Sequence, residues 1–136
     1  MKKYKFGSLI GCVILIFLEM LPVGAVLTFA GDGGETVRKS YSYFSLLPYG
    51  YANFGPFLTA VLAVVLTVLT LINLFSNKKW LLNASITLSA TAIVTSLLPL
   101  MLGTDYFTPT AVIITLLLSA LTALNIFTKK HQGETI

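Results

Sequence analysis

Four apolar runs, each about as long as one crossing of a bilayer, constrain this chain more than any other feature. They cover about residues 6–30, 56–75, 80–102 and 108–127. A helix needs roughly 20 apolar residues to cross about 30 Å of hydrocarbon. Hydrocarbon offers no partner for a backbone N–H or C=O, so each run is predicted to be helical. Of the 136 residues only 10% are charged and 56% are hydrophobic. A soluble domain carries about 25% charged residues, so a water-soluble monomer is excluded. Disorder, which needs low hydrophobicity and high net charge, is excluded as well. The expected fold is all-α: one polytopic membrane domain over residues 1–136, a four-transmembrane-helix bundle with an outer loop over 31–55.

The net charge of +4 could suggest a nucleic-acid partner, but the placement of the basic residues argues against one. Lys2, Lys3 and Lys5 precede the first run, Lys78 and Lys79 separate the second and third, and Lys129 and Lys130 follow the last. Arg38 and Lys39 alone fall elsewhere. A basic excess at alternate ends of the runs is the positive-inside pattern. It places both termini and the 77–79 turn in the cytoplasm, and the 31–55 loop and the 103–107 turn outside. The expected location is a bacterial plasma membrane, with the lipid bilayer as first partner. Cys12 stands alone, so no internal disulfide can form. Leu9-Ile10-Gly11-Cys12 has lipobox letters, but the apolar run continues past it. Thr28-Phe29-Ala30 has the small residues of a signal cleavage site, but Glu19 breaks the run before it.

Segments of the two halves echo each other. Lys2-Lys3-Tyr4 opens the first half and Lys78-Lys79-Trp80 the second. Met20-Leu21-Pro22-Val23 in the first run answers Leu97-Leu98-Pro99-Leu100 in the third. Thr70, Asn73 and Phe75 recur as Thr122, Asn125 and Phe127, each set followed by a lysine pair. Two helical hairpins repeated in parallel about an axis along the membrane normal would produce this pattern, as would convergent membrane-flank chemistry.

Helices in lipid associate through small residues and hydrogen bonds. Ser85, Ser89, Ala92 and Ser96 form one stripe on the third run, and Thr87, Thr91 and Thr95 a second. Ile86, Ile93 and Leu97 are expected to face lipid. Packing explains these stripes most simply, and a hydroxyl-lined solute path is the sharper alternative. Asn73 and Asn125 lie near the cytoplasmic helix ends, where interhelical or head-group bonds suffice.

Glu19 is the one ionisable residue inside a run. A lone charge in hydrocarbon costs several kcal/mol, so the carboxyl must be neutral or partnered. No Lys, Arg or His shares its predicted depth, which leaves Thr91 and Thr95 as candidate neutral partners. Pro22 removes a backbone donor three residues on, and Gly24 follows, so a kink beside the acid is expected. Such a site suits proton or cation coupling, recognition of another helix, or a buried hydrogen bond.

The outer loop is aromatic: Tyr41, Tyr43, Phe44, Tyr49, Tyr51 and Phe54 fall within it. Tyrosine belongs at the head-group boundary, so an aromatic belt or a docking surface is expected here. Asp32, Glu35 and Asp105 follow no calcium-loop spacing. No phosphate-binding loop, nucleophile elbow or metal signature is present, and His131 lies in the polar tail. The chain is therefore read as a non-enzyme, with no cofactor and no metal.

The outline of four spans with a long first outer loop resembles the small tetraspan membrane proteins, without their paired loop cysteines. Ser42-Tyr43-Phe44 and Pro48-Tyr49-Gly50-Tyr51-Ala52-Asn53-Phe54 resemble segments of uncharacterised small four-span membrane proteins of Gram-positive bacteria. That resemblance implies a membrane location and no particular activity. The expected function is association, with itself as a homo-oligomer or with a larger membrane-protein partner. The alternative is a proton- or cation-coupled transporter or channel built on Glu19.

Overall fold

The computed structural model describes residues 2–45, 51–104 and 107–134. Its elements are α1 (Lys2–Met20), β1 (Ala25–Ala30), β2 (Thr36–Tyr41), α2 (Tyr51–Phe75), α3 (Lys79–Ser96), α4 (Leu98–Leu102) and α5 (Pro109–Glu134). The chain is mostly helical. Three stretches are long and apolar enough to cross a membrane: Phe54–Phe75, Lys79–Met101 and Pro109–Glu134.

α1, α2, α3 and α5 pack in a ring, with α1 and α3 each lodged between α2 and α5. Neighbours run antiparallel, because the start of α1 touches the end of α2 (Lys5 to Asn73) and of α5 (Ser8 to Asn125). α3 meets α5 in the same sense, through Ser89 with Thr122 and Ser96 with Thr115. The inward positions of α5 are Ala111, Ile114, Leu118, Leu121, Asn125, Thr128 and Gln132. Those of α1 are Lys5, Ser8, Cys12, Leu15 and Glu19. Alternating steps of three and four residues keep one seam turned inward, the pattern of helices packed at a shallow angle.

Several boundaries differ from the sequence expectation. The first run does not continue as a helix to residue 30. α1 stops at Met20, and Ala25–Ala30 pairs antiparallel with Thr36–Tyr41, Ala30 opposite Thr36 and Ala25 opposite Tyr41. Pro22 and Gly24 therefore do not kink a span; they lie in the turn that ends it. Pro22 cannot donate to the helix ladder, and Val26, Thr28, Thr36 and Val37 favour extended backbone. Gly33 and Gly34, both at φ 83°, make the reversal that a side chain would resist. The 31–55 segment is thus no simple loop, since it holds β2 and the start of α2. The third run breaks at Leu97, because Pro99 cannot continue the helix and α4 restarts beyond it. The fourth runs past 127 to Glu134, so the supposed tail is helical.

Candidate functional site: the hairpin end of the helix ring

Hydroxyls throughout the helices bond back to carbonyls of the preceding turn, as Thr67 does to Ala63 and Thr115 to Ala111. This habit lets serine and threonine sit in an apolar medium at little cost. Some of the remaining polar groups pair across helices, and these pairs partly follow the sequence echo. Setting Leu21-Pro22 against Leu98-Pro99 matches the inward residues Lys5, Ser8, Cys12, Leu15 and Glu19 of α1 with Leu82, Ser85, Ser89, Ala92 and Ser96 of α3. All ten are buried. Cys12 Sγ lies 3.8 Å from Thr70 Oγ1, and the matching Thr122 donates to Ser89 at 2.8 Å. Ser8 donates to Asn125 at 3.0 Å. The matching residues, Ser85 and Asn73, are buried too, but among the described residues Ser85 Oγ and Asn73 Oδ1 have no hydrogen-bond partner.

The match fails again at the level of Glu19, here on the side of α1. Its counterpart Ser96 lies 2.9 Å from Thr115, hydroxyl to hydroxyl. The residue of α2 that answers Thr115 is Ala63, which has no group to offer. Glu19 is fully buried, and both carboxyl oxygens lack a hydrogen-bond partner among the described residues. Neither expected partner reaches it. Thr91 is exposed and donates to Thr87 O, while Thr95 shares a 2.7 Å bond with Thr59. Thr95 is at the right level, but α3 packs on α2 and α5 rather than on α1. With α1 ending at Met20, Glu19 sits in its last turn rather than at mid-span.

Tyr43 closes this end. Its backbone N–H donates to Glu19 O at 2.9 Å, and its ring fills the notch at Gly24. A Cβ on Gly24 would lie 2.7 Å from Tyr43 Cδ1, so no larger residue fits there without moving the ring. Thr108 donates to Gly24 O at 2.8 Å and ties the turn to α5. The Tyr43 hydroxyl is buried and, among the described residues, also unpartnered. Burial first, and the neighbouring Glu19 charge second, push the phenol's pKa up. The sequence placed Tyr43 on an exposed aromatic surface, but it is fully buried. Phe44 packs against the core, Tyr41 is half-buried and meets Phe29 edge-on, and Phe54 is exposed. Tyr49 and the Tyr51 side chain lie outside the described residues.

The Ser85, Ser89, Ala92, Ser96 stripe faces inward and is used up within the chain. Thr87 and Thr91 face outward. Ile86 and Ile93 are half-buried rather than turned fully to lipid. At the opposite end Lys5 Nζ donates to Asn73 O, Ser76 O and Asn77 Oδ1 at 2.9, 3.0 and 3.0 Å. One ammonium thus satisfies carbonyls that the end of α2 leaves open. Sequence reasoning missed this role because Lys5 read only as a topology marker. His131 is half-buried and stacks edge-on against Phe127, 4.4 Å between ring centres. Among the described residues no cluster of three metal-ligating side chains occurs.

No family model matches the chain, and no curated protein or solved structure matches it either.

Proposed function

We propose that this chain is a small non-enzymatic integral membrane protein of a bacterial plasma membrane that acts by association, with itself or with a larger membrane complex. In this reading it crosses four times with both termini cytoplasmic. Antiparallel packing supports that orientation, since it brings Lys2, Lys3, Lys5, Lys78, Lys79, Lys129 and Lys130 to one end of the ring. At 19 residues α1 is about 28 Å long, enough for a crossing when Lys2 and Lys3 reach the head groups. The matched halves support two parallel hairpins.

The outward face of α3 carries the reading. Asn83, Thr87, Ala90 and Thr91 are exposed there. Trp80 and Val94 flank this small patch, whereas the outward faces of α1 and α2 carry bulky apolar groups such as Ile10, Val13 and Phe17 or Val64, Val68 and Ile72. Bulky aliphatic faces suit lipid, while a small face with hydroxyls lets another helix approach closely. Cysteine placed at Ala90 in a Cys12→Ser background should crosslink in membranes, and adding Thr87→Leu with Thr91→Leu should abolish the product. An unchanged product would remove this face as the partner surface.

A second reading is favoured by the buried, unpartnered carboxyl of Glu19. It is a proton- or cation-coupled carrier or channel, oligomeric because four short helices enclose little volume. Proteoliposome flux decides it: equal proton or solute flux for wild type and Glu19→Gln would end this reading.

A further inference from the structure

We propose that Glu19 and Tyr43 together form a binding site for a single proton, loaded from the hairpin side of the ring and created by the absence of a hydroxyl at Ala63. The proposal rests on the second reading only in taking Glu19 as a working group, and it holds whether or not any solute is carried.

Three observations carry it. The carboxyl is fully buried with both oxygens unpartnered, and the nearby phenol is in the same condition. Buried polar groups are as a rule hydrogen-bonded, and exceptions cluster where a group is kept for a task. The matched half of the molecule shows what a purely structural solution looks like, a serine bonded to a threonine. By the same alignment of the two halves Glu19 is matched with Ala63, which has no hydroxyl to bond it.

The surroundings select the ligand. The titratable groups beside it are Cys12, two turns back on the same seam of α1, and Tyr43, whose N–H is bonded to Glu19 O. At this level α2 presents Thr59 and Ala63, α3 presents Thr95 and Ser96, and α5 presents Ala111 and Ile114, none of which is charged. Asp32, Glu35, Arg38 and Lys39 lie on the hairpin, away from this interior. Lys5 shares the seam but sits roughly 21 Å down the helix, bound to the end of α2. No cationic side chain of the described residues can therefore balance the carboxylate. A metal cation would need several more oxygens than two carboxyl atoms and one phenol supply. A proton needs one, and it neutralises the charge on arrival: carboxylate plus proton gives the neutral acid, with nothing else consumed.

Access is from the hairpin side. Glu19 lies one residue inside the end of α1, where Met20 is exposed, and the Tyr43 ring in its glycine notch is the cover. Tyr43 is held beside the site by its own N–H on Glu19 O.

Infrared difference spectroscopy of the full chain in lipid vesicles tests the proposal without any flux. Wild type at neutral pH should show a carbonyl absorption of a protonated carboxyl that shifts in heavy water and disappears in Glu19→Gln. It should fade when the pH is raised and be indifferent to exchanging sodium for a bulky organic cation. Ala63→Ser, which adds one hydroxyl and leaves the acid in place, should weaken the band at neutral pH, because a donor to the carboxylate favours the ionised form. A band that follows sodium instead of pH would assign the site to a metal cation and overturn the proposal. So would a spectrum with no band lost in Glu19→Gln, or one that Ala63→Ser leaves unchanged. Flux without the band would sink the proton site and spare transport; the band without flux would do the reverse.

Discussion

α1 and α3 are two versions of one helix. Both turn a seam of five buried positions into the ring, both are lodged between α2 and α5, and both end shortly before a Leu-Pro pair. Their chemistry differs at the two ends of the seam. Where α3 has Leu82 and Ser96, α1 has Lys5 and Glu19. The extra charges meet opposite fates: Lys5 finds three oxygens and Glu19 finds none among the described residues. The connections differ too, since a β-hairpin and Tyr43 follow α1 whereas only the short α4 follows α3. The comparison teaches that a scaffold can be held by one half while the other carries groups that packing does not require.

The largest expected break is Tyr43→Ala. A fully buried aromatic would be lost, exposing the Gly24 notch and Glu19 together. Truncating a buried aromatic costs about 3–5 kcal/mol, so thermal unfolding in detergent should show a large drop. A small drop would mean that the hairpin does not close this end. Gly24→Ala tests the same fit from the other side and should cost about 1–3 kcal/mol through overpacking.

Glu19→Met inverts the sign. Exchanging a buried, unpartnered acid for an apolar side chain of similar size should stabilise the chain by about 1–3 kcal/mol. A loss of stability would mean that the carboxyl has a partner that holds the fold. Stabilisation together with loss of the carboxyl infrared band would show that the half carrying the acid gives up stability for it, as functional sites commonly do.

Much of this scaffold was legible in the sequence, and the limits have physical causes. The runs at 56–75, 80–102 and 108–127 were readable because twenty apolar residues between lysines allow few other structures. The first run misled because hydropathy does not distinguish Ala25–Ala30 as strand from the same letters as helix. The signal lay in its β-branched residues and the Asp32-Gly33-Gly34 reversal. The isolation of Glu19 was legible, but its partners were not. Thr91 faces outward, and Thr95 stands on α3, which packs on α2 and α5 rather than on α1, with its hydroxyl taken by Thr59. Tyr43 could not be foreseen, because a tyrosine in an outer segment reads as a head-group anchor until the chain is seen to fold it over Gly24.

Lys5 sharpens the comparison at the other end. Its three acceptors lie at the open end of α2, so Lys5→Met should lose about 1–2 kcal/mol in thermal unfolding, since three oxygens lose their donor. An unchanged stability would mean that water replaces the ammonium at this end.

The smallest effect is the most direct test of the two halves. Thr115→Ala makes the level of Ser96 resemble that of Glu19, with an alanine facing the seam on both sides. Ser96 keeps its 2.7 Å bond to Ile93 O, so its hydroxyl stays satisfied when Thr115 is lost. The interhelical bond disappears together with Thr115's own bond to Ala111 O, and interhelical bonds within membranes average about 0.6 kcal/mol. A shift of that size, additive with Glu19→Met, would show that the two levels are independent. Coupling well above it would mean that Glu19 and Ser96 share one network across the ring, and that the acid is less isolated than its missing partners indicate.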